Sequence, residues 1–392
     1  YNLQNQSSKK IQTEIAIPPQ TAYQDIYIEN INPVPDSLKS DIDGNLLATY
    51  SLDPNESKII NLKMFFKMDF TSMLQIDQTA GNNLLANKIW NHDHINFTSP
   101  ETKNLSTPKS IYDFVSNKLK YDFQKINRGK PERITASSII SNPQSAICTD
   151  YTDLFVTLSR KAGIPARELE GMAISDNPNL KPIITSPSQD ILHAWPEYFD
   201  TATLKWIQVD PTWGSTTKGI DYFNKLDFNH LVFVIHGQDP EYPIPAGGYK
   251  VAGQKSKDIE IEPIEEISFP KILLNTKFVK RLGSQAVFEI TNQSGVYFQG
   301  NISLEEGKYL FSQADAVTIP PYSKIEFKAF LKDGFFLNPI NVEAIINLNG
   351  ENQKLSFILA PRLPKGLFFA TIGVILGIIT FTAWRLFFRR QK

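Results

Sequence analysis

The chain is 392 residues long, 41% hydrophobic and 21% charged, a length that accommodates two or three domains with cores of their own. Lys+Arg 40 against Asp+Glu 41 leaves a net charge of -1, and no basic stripe is interleaved with aromatics, which removes the electrostatic case for a nucleic-acid partner. The single cysteine, Cys148, excludes an intrachain disulfide and any metal site built from several thiolates, so each domain must be held by its core.

Residues 1–105 read as an all-β N-terminal domain. Asp25–Ile31, Leu46–Leu52 and Ile59–Phe70 are short runs rich in Ile, Tyr and Phe, punctuated by Asp43-Gly44 and Asp53-Pro54-Asn55. Pro18-Pro19 and the Pro33/Pro35 pair mark edges or loops. Two stretches imitate ligand motifs. The run from Asp41 to Asn45 lacks the distal acid of a calcium loop and reads as an Asp-Gly turn, and His92-Asp93-His94 lacks further ligands. The expectation is therefore no metal and no cofactor.

Residues 106–252 read as an α+β domain. Thr107 followed by Pro108 starts a helix with the stripe Ile111, Phe114, Val115, Lys118 and Leu119. A second helix carries Tyr151, Leu154, Phe155, Leu158 and Ala162 at offsets of one face, with Ser145 as the expected N-cap and Gly163-Ile164-Pro165 as the stop. Cys148 falls in its first turn, where the positive end of the helix dipole favours a thiolate and Asp150 partly opposes it. Ala166–Ile174 follows as a strand, then a polar loop over 175–190, a hairpin, and a mixed segment over Asp221–Gly248. There His230 and His236 flank an apolar run and are expected to be structural.

Residues 253–266 are charged and aperiodic, a linker, and 267–360 carry β runs at the spacing of an immunoglobulin-like β-sandwich, with an Asn349-Gly350 hairpin. Gly366–Trp384 is free of charge for 19 residues, roughly 29 Å as helix, enough to cross a bilayer. A transmembrane helix with a basic tail is expected over 366–388. Arg385, Arg389, Arg390 and Lys392 follow it against Arg362 and Lys365 before it, which places the C-terminus in the cytoplasm and the rest of the chain outside the cell membrane.

The hairpin supplies the chemistry. If Asp200–Thr203 closes Phe199 onto Leu204, partners sum to 403, and Trp195 faces Gln208 while His193 faces Asp210. A carboxylate so placed can hold one imidazole nitrogen and leave the other as a base. Pro196 cannot donate to a ladder, so its strand is expected at an edge or bulged. Cys148, His193 and Asp210 then supply a nucleophile, a base and a group that orients the base. Trp195 is the expected substrate-binding residue beside them.

The stretches CTDYTDLF, RKAGIPARELEG, HAWPEYF and WIQVDPTWG resemble the core of the transglutaminase-like superfamily over roughly 106–250. The resemblance implies a papain-like fold with Cys148 as nucleophile, His193 as base and Asp210 as orienting acid. The sequence departs from the family where Ala146 stands two residues before the cysteine, a place often held by Gly. What it implies is acyl transfer at amide bonds of a protein or peptide substrate, as a membrane-anchored, extracytoplasmic peptide or isopeptide hydrolase. The alternatives are a protein-glutamine transglutaminase with an amine acceptor, and a non-catalytic envelope adaptor.

Overall fold

The computed structural model of the chain describes residues 1–69, 89–91, 102–126, 132–174, 190, 192–217, 219–226, 229–249, 256–305, 310–312, 314–332, 338–361 and 372–382. They form two compact units, Tyr1–Phe269 and Pro270–Lys392.

The first unit is organised around the helix Cys148–Lys161, and the stripe read from the sequence understates its burial. Tyr151, Leu154, Phe155 and Leu158 face the helices Pro108–Lys118, Ala136–Ser141 and Pro211–Thr216 through one apolar cluster. Val156, on the other side, packs with Ile89, Trp90 and Ala166, and even Thr152, Asp153 and Thr157 are buried. The helix is a central rod between a helical layer and a sheet. That sheet has four antiparallel strands in the order Lys205–Gln208, His193–Asp200, Ala166–Ala173, His230–His236.

The hairpin register differs from the expected one by two residues. Trp206 pairs with Phe199 and Gln208 with Glu197, so partners sum to 405 and the four-residue loop is Thr201 to Leu204. A slip of two preserves every side chain on its face, because the strand period is two. Pro196 lies in an inner strand. Its carbonyl accepts from Val209 N–H at 3.0 Å, one residue beyond the last ladder pair at Gln208, so its missing N–H falls at the end of the hairpin ladder and not within it.

The boundary expected at 105 does not separate compact units. The strand His230–His236 would be an open sheet edge, and two buried side-chain amides close it. Gln24 donates to the Val232 carbonyl and accepts from its N–H, both at 2.9 Å. Asn45 does the same for Ile235, at 2.8 and 2.7 Å. The turn before Asn45 takes part. Asp41 Oδ1 accepts from the N–H groups of Asp43 and Asn45, Gly44 has φ 94°, and Asp43 Oδ2 accepts from Gly237 and Gln238. These contacts satisfy edge groups that would otherwise be buried without partners. The strands of 1–69 thus belong to the wall that carries the site.

The second unit holds two four-stranded antiparallel sheets. One is ordered Leu274–Leu282, Gln285–Asn292, Lys324–Leu331, Leu310–Phe311; the other Asp315–Ile319, Phe298–Leu304, Ile340–Leu348, Glu351–Leu359. Phe288, Ile302, Phe327 and Ile346 share one core between them, a β-sandwich. Asn349 and Gly350, with φ 50° and 94°, make the two-residue turn expected there. Of the apolar segment 366–384, residues 372–382 are helical and exposed, and the remainder lies outside the described residues, as do the 175–189 loop and His92 to His94. Among the described residues no helix is long and apolar enough to cross a membrane.

Asn45→Ala should lower the stability of the first unit by about 2–4 kcal/mol, since it orphans the N–H and the carbonyl of buried Ile235. Urea unfolding would show this as a lower midpoint at unchanged slope. A loss below about 0.5 kcal/mol would show that the edge does not depend on this clamp.

Candidate active site

Asp210 is built into place by its own helix. It caps Pro211–Thr216, with Oδ1 accepting from Trp213 N–H at 2.9 Å and Pro211 occupying the first helical position, where no N–H is needed. Oδ2 is then left to accept from His193 Nε2 at 2.8 Å and from His230 Nε2 at 3.1 Å. All three residues are buried. Burial alone would raise this carboxyl, but His193 and then His230 outweigh it and hold it well below the usual carboxylate range.

His193 opens its strand opposite Gly171, which cannot carry a side chain because a Cβ there would lie 1.9 Å from the Leu231 carbonyl oxygen. The imidazole lies between two indoles, stacked on Trp195 at 5.6 Å and tilted against Trp213 at 5.9 Å. With Nε2 held on Asp210, Nδ1 is the nitrogen that can take a proton.

Cys148 is the first residue of the central helix and is only 8% exposed. The N–H groups of Ala194 and Thr149 are directed at its sulfur, so the thiol lies against the residue that follows His193. Burial pushes this thiol up to about 12, Ala194 and Thr149 pull it down, and the carboxylates of Glu170 and Asp210 push the same way as burial. Burial thus works against the thiolate that the helix start favours, and the chemistry needs a base to take the proton. The cap differs too. Ile147, not Ser145, precedes the helix. Asp150 Oδ2 accepts from Ile147 N–H at 2.8 Å and pairs with Lys125 at 2.7 Å, while Ser145 donates to Asp122.

Trp195 was expected to bind substrate, but it has no exposed surface. Its Nε1 donates to Gln208 at 3.0 Å and its ring packs with Leu169, Val232 and Ile235, so it is a wall of the imidazole pocket. His230, expected to be structural, reaches Asp210. Its strand is buried throughout, and such a strand shows no alternation from which an inward-facing histidine could be read.

Two trios among the described residues could hold a metal ion, His193/Asp210/His230 and Glu168/Glu170/His236. In the first, imidazole nitrogens already satisfy the carboxylate. In the second, Arg133 pairs with Glu168 at 2.7 Å, alongside Asp153, and His236 lies 3.3 Å from the same oxygen.

A buried Cys, His and Asp on this core is the arrangement of a thiol enzyme. Residues 94–211 match the family described as Transglutaminase-like superfamily, and this stretch of the chain is a transglutaminase-like domain. No curated protein matches the chain. Among solved structures it is similar to a proposed cysteine protease from Cytophaga hutchinsonii, with 17% identity and TM-score 0.32 over 57% of this chain and 83% of that one. It is also similar to the periplasmic domain of TgpA from Pseudomonas aeruginosa, with 13% identity and TM-score 0.29 over 55% and 77%. Red sea bream transglutaminase shares 10% identity at TM-score 0.25 over 91% and 80%.

Because Cys148 is the chain's one thiol, alkylation reports on it alone. In the wild type the iodoacetamide rate should rise through the neutral range, where imidazoles titrate. In His193→Ala it should rise only at more alkaline pH, because burial pushes the thiol up and no imidazole takes its proton. Identical pH profiles would contradict proton transfer from Cys148 to His193.

Proposed function

We propose that the chain is an acyl-transfer enzyme at amide bonds, with Cys148 as nucleophile, His193 as general base and acid, and Asp210 as the residue that orients His193. The observation that supports it most directly is the buried His193–Asp210 hydrogen bond of 2.8 Å, with the backbone of Ala194, the next residue, directed at the Cys148 thiol. His193 Nδ1 takes the thiol proton as Sγ bonds to the carbonyl carbon. The C–N bond then breaks, and the imidazolium protonates the leaving amine. The resulting thioester is cleaved by a water that gives its proton to His193, releasing the acid and the thiol. The Cys148 N–H at the helix start is free of intrahelical demand and suits the oxyanion.

Water is the acceptor in this reading, which makes the reaction peptide or isopeptide hydrolysis on a protein substrate. The apolar 366–384 segment, helical and exposed over 372–382, anchors the chain in a cell membrane with its basic end inside. Buried apolar side chains would not be left as Val374, Ile375, Ile378 and Phe381 are, all more than half exposed.

Incubating the full chain with casein, with and without a fluorescent primary amine, separates the acceptors. The expected outcome is new fragments from the wild type, none from Cys148→Ala, and no amine incorporation. Incorporation would make the protein a protein-glutamine transglutaminase, and indistinguishable wild type and variant would favour a non-catalytic envelope adaptor.

A further inference from the structure

We propose that His230 is a positioning residue of the thiol site, donating its Nε2–H to the Asp210 oxygen that holds His193. The inference rests on the reading of Cys148, His193 and Asp210 given above. His230 lies beyond the stretch 94–211 that matches the family, on the strand clamped by Gln24 and Asn45.

The geometry argues for a donor and not for a filler. His230 has no exposed surface and stands edge-on to Trp213 at 4.7 Å and to Trp195 at 5.0 Å, a setting that any large apolar side chain could fill. Its nitrogen instead lies 3.1 Å from Oδ2. The Trp213 N–H fixes Oδ1, and His193 alone would leave Oδ2 free to follow the imidazole as it moves. A second donor on Oδ2, from a different strand, fixes the carboxylate at both oxygens before His193 takes a proton. Tyr112 supports the same residue from the helical side, donating to the Asp210 carbonyl at 3.4 Å.

Side-chain reach makes the proposal testable. Glutamine places its amide nitrogen where histidine carries Nε2, whereas asparagine stops near the position of Nδ1. Both are polar amides, and they differ by one methylene and by the reach of the amide nitrogen. At pH 7 the alkylation rate of Cys148 in the full chain should fall on the order of tenfold in His230→Asn, the effect of one lost hydrogen bond to a charged acceptor. It should return to within about threefold of wild type in His230→Gln. Thermal unfolding of both variants reports whether each is folded, and His230→Gln carries the test if His230→Asn is not. A folded His230→Asn at the wild-type rate would overturn the proposal, as would a folded His230→Gln as slow as His193→Ala. If His193→Ala itself alkylates at the wild-type rate, the triad reading fails first. If it is slow while His230→Asn is fast, only the role of His230 fails.

Discussion

The carboxylate of Asp210 has no contact with water, and a buried anion persists only where donors surround it. Here the backbone of its own helix takes one oxygen and two imidazoles take the other. That single requirement ties together four parts of the chain. The helix after the hairpin must start at Asp210, the strand His193–Asp200 must begin at His193, and the strand His230–His236 must sit at the far side of the sheet. The central helix must bring Cys148 against Ala194.

The elements that meet these requirements are held both from outside the catalytic segment and from within it. The far strand is clamped by Gln24 and Asn45, whose side-chain amides satisfy backbone groups as a neighbouring strand would. A second buried network, Arg133 with Asp153 and Glu168, pins the central helix to the strand Ala166–Ala173. Burial of the anchoring charges is offset by pairing, and the same burial makes Cys148 a thiol that needs a base.

Much of this was legible in the residues. The stripe from Tyr151 to Leu158 gave the helix, and the two runs either side of the Asp200 turn gave the hairpin. The two-residue register slip leaves His193 and Asp210 in hydrogen-bond contact, because the ladder ends at Gln208 and Asp210 is placed by the helix that it caps. Asp-Pro-Thr carries the signature of an N-cap followed by proline, a signal present in the sequence and overshadowed by the strand before it. Three features had no local signature. A strand buried throughout hides which of its histidines faces a partner. Single amides such as Gln24 and Asn45 show no period, so the joining of 1–69 to the core was not visible. The thiol's desolvation depends on packing by distant residues, which helix position alone does not encode.

The central claim is that Asp210 fixes both His193 and His230 as Nε2–H donors, which leaves Nδ1 of His193 as the site of proton transfer. Nitrogen-15 NMR of the full chain with labelled histidine, five residues in all, reads the ring tautomers directly. Substitution of each histidine in turn assigns the signals. Above the range where imidazoles are protonated, the account predicts a proton on Nε2 of both His193 and His230 and a bare Nδ1 on His193. A neutral His193 carrying its proton on Nδ1 would contradict it.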